Sequence, residues 1–289
     1  MSGNRMQIRF SILLPTILLP ISFTTMPIYP SLQLTSISDA DFAVIDEAVM
    51  DCAYAAHNKF GTLFNERVYE NEVAARLRAL GFEVHTQVPV RVEHSSFQKT
   101  YFLDLIVNQM LYELKVAASL IQEHDAQALH YAIMQDIRLV KLLNFGESRV
   151  RGKLLQNALQ GRDRTNPTLR KSGMRLLTPN CERLIAHLRE LLHDWGTHLS
   201  PGLYSEALVH HFGGEAHCVK REELADGPIS LGTHVQLHNE HHAFTVTSLR
   251  RDHAAYRKHL DVLLSHSRLE AIQWINLNQS RVEITTLTK

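Results

Sequence analysis

One aspartate, one glutamate and one lysine stand close together in the chain. Asp104 is followed by eight residues and then by Glu113-Leu114-Lys115. Carboxylate oxygens suit a hard cation such as Mg2+ or Mn2+. A cation held there would polarise a phosphate and activate water. An ammonium beside it can steady the attacking water or offset charge developing on the phosphate. This spacing is common by chance, so it carries weight only if the chain brings the three groups to one place.

The local pattern does so. Apolar alternation over 101–107 and 110–116, with Asn108-Gln109 between, predicts a β-hairpin. Side chains two apart on a strand share a face, so Glu113 and Lys115 point the same way. Asp104 falls near the end of the paired strand. Upstream, Ser38 caps a helix over 41–60 that stops at Gly61, with Phe42, Ile45, Val49, Cys52, Ala53 and Ala56 as its stripe. A second helix over 65–80 ends at Gly81 and buries Tyr69, Val73, Leu77 and Leu80. Glu66 falls on that buried stripe. A carboxylate there is costly unless it is paired or metal-bound, although a helix-start acid favoured by the dipole is an equal reading. Glu70 and Glu72 read as solvated, with Glu70 the reserve ligand.

Residues 82–92 read as a strand with Val84, Val88, Val90 and Val92 on one side, followed by a polar turn over 93–99. A helix over 119–135 puts His124, Gln127 and Tyr131 on one face. That face alone reads as an ordinary polar boundary. A strand over 138–145 follows. The order of helix, helix, three strands, helix and strand predicts a small mixed α/β layer with the carboxylates at the sheet's edge.

With 289 residues there is room for one large or two modest domains. The formal net charge is zero, so any basic surface must be local. Arg149, Arg151, Lys153, Arg162, Arg164, Arg170, Lys171 and Arg175 form such a run, with Asp163 the single acid between 149 and 175. It suits phosphate neutralisation and a solvated linker equally. Cys52, Cys181 and Cys218 are few and far apart, which favours reduced thiols in a cytosol. Arg5 and Arg9 precede an apolar, proline-broken stretch over 11–21 that is too short to span a membrane. It resembles the start of a signal peptide without a cleavage site, and Met26 offers a later start. The expected location is the cytoplasm with export left open, and no stable membrane association is expected. Oligomeric state is not legible.

The chain repeats itself. Residues 142–150 resemble 274–282, and Leu203-Tyr204 resembles Val68-Tyr69. Sliding the chain accordingly sets His238 opposite Asp104, Thr247 opposite Glu113 and Leu249 opposite Lys115. The chemistry is lost in the second copy. Expected divisions are an extension over 1–37, a first domain over 38–157, a basic linker with an amphipathic helix (181–195) over 158–197, and a degenerate copy over 198–289. A boundary falls at 197–202. Of 18 histidines, many lie in the copy. His238, His241 and His242 stand close in sequence, with no cysteine at a familiar zinc spacing, and read as surface or core residues.

Asp104 with Glu113-Leu114-Lys115 resembles the signature of the PD-(D/E)XK nuclease superfamily. The sequence around it resembles the GxxExxY proteins of that superfamily. Gly61, Glu66-Arg67-Val68-Tyr69, Gly81-Phe82, Gln87-x-Pro89-Val90, the His124, Gln127 and Tyr131 helix, and Leu143-Asn144-Phe145-Gly146 carry the likeness. It spans about 45–150 and departs at Leu63, where the family has glycine. The resemblance implies a restriction-endonuclease-like αβββαβ core. It further implies Glu66, Asp104 and Glu113 around Mg2+ or Mn2+, Lys115 beside the scissile phosphate, and Gln127, Tyr131 and His124 binding nucleic acid or supporting the site. A metal-dependent nuclease acting on nucleic acid, DNA before RNA, is the expected function. The alternative is a non-catalytic module that binds nucleic acid or protein on the same fold.

Overall fold

Capping side chains set the first two helices. In α1 (Asp39–Phe60) the Ser38 hydroxyl accepts from the Asp41 N–H at 3.1 Å. In α2 (Glu66–Ala79) the Asn65 carbonyl oxygen accepts from the Val68 N–H at 3.3 Å. Between them Gly61 adopts a φ of 68°, a conformation that costs glycine little. This is a computed structural model, and it describes residues 26–159, 168–226, 229–278 and 281–289. The stretch before Met26, residues 162–164 of the basic run, and Gln279 and Ser280 of the repeat lie outside the described residues.

The first sheet contains β1 (Ile28–Pro30), β2 (Val84–His94), β3 (Phe97–Val107), β4 (Met110–Lys115), β5 (Leu139–Asn144) and β6 (Arg151–Gln156), in that spatial order. β4 and β5 run parallel through the crossover helix α3 (Gln122–Met134), and the other neighbours pair antiparallel. β4 is therefore interior, and the carboxylates lie in mid-sheet rather than at the expected edge. The Asn108-Gln109 turn stands where alternation puts it. Both residues have positive φ, as a two-residue hairpin requires.

Three local expectations are corrected. The polar turn over 93–99 shrinks to Ser95-Ser96, because His94 pairs with Phe97 and both pack on Trp195. Leu80 is the C-cap of α2 and exposed. Val84 packs on the α1 and α2 side, whereas Val88, Val90 and Val92 pack on the opposite side. The parity changes at Gln87, whose φ of 52° breaks the extended backbone. On β3 it changes near Asp104, since Leu103 and Leu105 also belong to opposite cores.

The second half contains β7 (Thr168–Gly173), α4 (Pro179–Trp195), α5 (Pro201–His211), α6 (Glu215–Cys218), β8 (Val219–Asp226), β9 (Ile229–Asn239), β10 (His242–Thr247), α7 (His253–His266), β11 (Ala271–Asn278) and β12 (Arg281–Thr288). Its sheet order is β7-β12-β11-β10-β9-β8, with β10 and β11 parallel. From α4 onward this matches the first half element by element. α4 and α5 stand for α1 and α2, β9 and β10 for the hairpin, and α7 for α3. In the stretch over 197–202, Thr197 and Leu199 are nearly inaccessible and Pro201 and Gly202 open α5, so it links α4 to α5 as the turn after Gly61 links α1 to α2.

Two details repeat atom for atom. The Tyr69 hydroxyl donates to Gly61 O at 2.6 Å, and the Tyr204 hydroxyl donates to Gly196 O at 2.9 Å. Asn144 clamps the N–H and carbonyl of Ala117 at 3.0 and 2.8 Å, as Asn276 clamps those of Leu249 at 2.7 and 3.0 Å. These anchors correct the repeat's register by two residues along β10. Lys115 pairs with Asn144 and Thr247 with Asn276, so Thr247 replaces Lys115 and Thr245 replaces Glu113. Along β9, Gln236 faces Phe244 as Leu105 faces Tyr112, which puts Val235 in the place of Asp104. The loss of the charged trio stands.

The layers stack head to tail. α1 and α2 cover the outer face of the first sheet. α3, α4 and α5 fill the space between the sheets, and α7 covers the far face of the second. The amphipathic α4 buries Leu184, Ile185, Leu188, Leu191, Leu192 and Trp195, the stripe that its periodicity predicts. Among the described residues no helix is long and apolar enough to cross a membrane.

The matched tyrosine bonds yield a prediction. Tyr69→Phe and Tyr204→Phe should each lower stability by about 1 kcal/mol, and the double variant by their sum. Urea unfolding midpoints check this. A large loss at one position with none at the other would contradict equivalent roles.

Candidate active site

β4 presents Glu113 and Lys115 on the face toward α3. Both are buried, at 1% and 8% exposure. Lys115 Nζ donates to Glu113 Oε1 at 2.6 Å and to Leu114 O at 2.9 Å, and lies 3.9 Å from Glu66 Oε2. The other Glu113 oxygen, Oε2, is buried without a hydrogen-bond partner. Asp104 is fixed across the hairpin, where its Oδ2 accepts from the Leu114 N–H at 2.9 Å. Glu66, at the first position of α2, accepts the Val116 N–H at 3.3 Å and stays half exposed. The helix start and the strand end thus meet at one point.

Glu70 and Gln87 join them. Glu70 is 2% exposed, against the expectation of a solvated side chain. Arg67 Nη1 donates to its Oε1 at 2.9 Å, and Gln87 Nε2 to its Oε2 at 2.6 Å. The same Gln87 nitrogen donates to Asp104 Oδ1 at 3.2 Å. Gln87 sits at the parity break of β2, and that break aims an amide at two acids. Its positive φ leaves no mark in an alternation pattern, so Gln87 is legible only through the family resemblance. Glu72 lies apart, bound to Lys59 and Arg76.

α3 supplies the roof. Gln127 Nε2 donates to the Tyr131 hydroxyl at 3.0 Å. Burial, then the charge of Glu113, push the Tyr131 phenol up to about 12. His124 turns back on its own helix. Its Nδ1 accepts from the Ile121 N–H at 3.2 Å and so caps its own helix. Of the basic run, Arg151 and Lys153 lie on the exposed edge strand β6, and Lys153 pairs with Asp125 of α3 at 2.6 Å. Arg175 instead binds Thr288 in the second half.

The electrostatics are one-sided. Four carboxylates (Glu66, Glu70, Asp104 and Glu113) face one ammonium, with Arg67 at the rim. Burial, reinforced by Asp104, pushes Glu113 up to about 8, although Lys115 pulls it partway back. Burial also raises Glu70, against Gln87 and Arg67. Burial alone would lower Lys115, but Glu113 outweighs it and Glu66 and Asp104 add to the effect, so its ammonium is held above the usual range. Asp104 disfavours the ionised form of Glu113, and positive charge nearby would offset that. The orphaned Glu113 oxygen, facing Asp104, fits a hard cation taking oxygen ligands. The oxygens of Glu66, Asp104 and Glu113 do not all lie within 4.8 Å of one another.

Comparison with known proteins agrees with the geometry. Residues 43–155 match a family model described as the PD-(D/E)XK nuclease superfamily. That segment runs from α1 to β6 and holds every acid named above. The likeness to GxxExxY proteins finds no separate support. Neither the curated proteins nor the solved structures give a match.

The raised Glu113 carboxyl makes a pH prediction. Its folded value lies above its ordinary 4.5. Its ionisation therefore costs stability as pH rises from 4.5 toward 8, and the cost is constant above that. In chelator, Glu113→Gln should raise the melting temperature by a few degrees at pH 8 and leave it unchanged near pH 4.5. A pH-independent difference in thermal unfolding would contradict this.

Proposed function

We propose that the chain is a metal-dependent phosphodiesterase acting on nucleic acid, with DNA the preferred substrate over RNA. The carrying observation is the buried Glu113 oxygen without a partner, beside the Lys115 ammonium and facing Asp104. A structural ion pair would have no use for an unpaired carboxylate oxygen in mid-sheet, because such an oxygen is costly.

Asp104 and Glu113 would hold Mg2+ or Mn2+, with Glu66 completing the set. The bound ion would supply Lewis-acid polarisation of the phosphate and a lowered pKa for water. Lys115, fixed by Glu113 and Leu114 O, would orient the attacking water and offset negative charge on the phosphate. Gln87 holds Asp104 and Glu70 in place. Tyr131, kept protonated at neutral pH, offers a hydroxyl on the α3 side, and Gln127 orients it. Exposed Arg149 and Arg151, just beyond β5, suit the phosphates of a bound strand.

The competing reading is a binding module. Thr245, Thr247 and Val235 favour it, since they show that this fold persists here without its charged trio. One assay separates the two readings. Linear and circular DNA and RNA are incubated with the full chain in Mg2+, Mn2+ or chelator. Cleavage should require metal, and Glu113→Gln should abolish it while leaving the fold intact. Lys115→Met should slow it by about 10²- to 10³-fold, the usual effect of removing one charge-stabilising group. Full activity in Glu113→Gln would sink the mechanism. Binding without cleavage by the wild type in either metal would favour the module.

A further inference from the structure

The degenerate copy carries a second constellation. Cys181, His238 and His242 bring one ligand atom each within 4.8 Å of one another, the group among the described residues that meets this spacing. All three are nearly inaccessible, at 1%, 3% and 7% exposure. Their elements are far apart in sequence: Cys181 lies in the first turn of α4, His238 near the end of β9, and His242 at the start of β10. His241, between the two strands, is exposed and takes no part.

Three ring nitrogens of the two histidines are orphans. Neither ring nitrogen of His238 has a hydrogen-bond partner, nor does His242 Nδ1. A neutral imidazole carries one donor and one acceptor. Burying both unpaired is unfavourable unless something binds them. The surroundings are otherwise well made. Phe212 and Phe244 flank the His238 ring. Asn180 Nδ2 donates to His238 O at 2.5 Å. Gln273 Nε2 donates toward Cys181 Sγ at 3.5 Å, and Thr178 Oγ1 lies at the same distance. His242 Nε2 lies 3.6 Å from a Glu270 carboxylate oxygen, the partner that commonly orients a metal-binding histidine through its other nitrogen.

We propose that Cys181 Sγ, His238 and His242 Nδ1 bind zinc and so pin the start of α4 to the β9–β10 hairpin. One thiolate and two imidazoles suit Zn2+ better than Mg2+, which takes oxygen ligands. A water would complete a tetrahedral set. The site does not depend on the nuclease reading. It lies in the copy that has lost the carboxylates, and its ligands are of a different class. Its role is to stabilise a hairpin that otherwise buries unpaired nitrogens.

The test uses the full chain, stripped with chelator, loaded with zinc chloride, desalted and analysed for metal content. The wild type should retain about one zinc per chain, as structural sites do. Glu113→Gln should retain the same amount, which separates this site from the carboxylates. Cys181→Ala should lose it, and the rise in melting temperature on loading should vanish with it. If Cys181→Ala folds poorly, the wild type loaded with Co2+ decides the matter. A thiolate-to-cobalt charge-transfer band with intense visible bands of a tetrahedral ion is expected. Absence of that band, zinc retention near zero in the wild type, or full retention in a folded Cys181→Ala would overturn the proposal.

Discussion

A carboxylate and an ammonium buried side by side in the middle of a sheet constrain what surrounds them. Glu113 and Lys115 occupy alternate positions of an interior strand, so their shared face must be the one toward α3. Desolvation opposes both charges, and the short Lys115–Glu113 contact offsets the penalty for one carboxylate oxygen only. The remaining acids do not help. Asp104 is held against the same point by the Leu114 N–H, and Glu66 by the Val116 N–H. These backbone donors hold the two side chains in place beside Glu113 and Lys115. Such a cluster sacrifices stability locally, and the surrounding apolar core must supply it.

That core is unusual in being shared. α4 and α5 of the second copy close the face of the first sheet that α3 leaves open. Trp195 Nε1 donates to Glu93 O at 2.9 Å, and Lys99 pairs with Glu206 at 2.5 Å. The long β2–β3 hairpin is therefore packed against the second copy instead of standing free in water. The copies meet by unlike faces, the α3 side of one against the helix pair of the other. Such contacts propagate unless the ends are blocked. Here α1 and α2 cap one end and α7 the other.

Much of this was legible in the sequence, for a physical reason. The helix cap at Ser38, the stripe of α4, and the Asn108-Gln109 turn are local devices. Their residues act on neighbours three or four positions away, so spacing reveals them. The trio Asp104, Glu113 and Lys115 is legible for the same reason, since one hairpin holds it. What stayed hidden depends on distant partners or on one backbone angle. Glu70 reads as solvated because nothing in α2 announces Gln87. Val84 is misread because a single positive φ at Gln87 inverts strand parity. Residues 93–99 read as one long polar turn because Trp195, far along the chain, packs on His94 and Phe97. Cys181 could not be joined to His238 and His242 because their meeting depends on how α4 crosses the second sheet.

Comparing the two copies separates what the fold needs from what the chemistry needs. Asn144 lies beside Lys115 and accepts or donates at three nearby backbone sites, which would suit a catalytic role. Yet Asn276 makes the same clamp on Leu249 in a copy where threonines replace the charged residues. A residue retained at a site that has lost its acids is explained by structure, here by tying the chain after the fourth strand to the fifth. The Tyr69 and Tyr204 bonds to glycine carbonyls fall in the same group. Glu113 and Lys115 do not, because Thr245 and Thr247 occupy their places while the strands still pair in register. The fold can be built without burying those charges, so the fold alone does not account for them in the first copy.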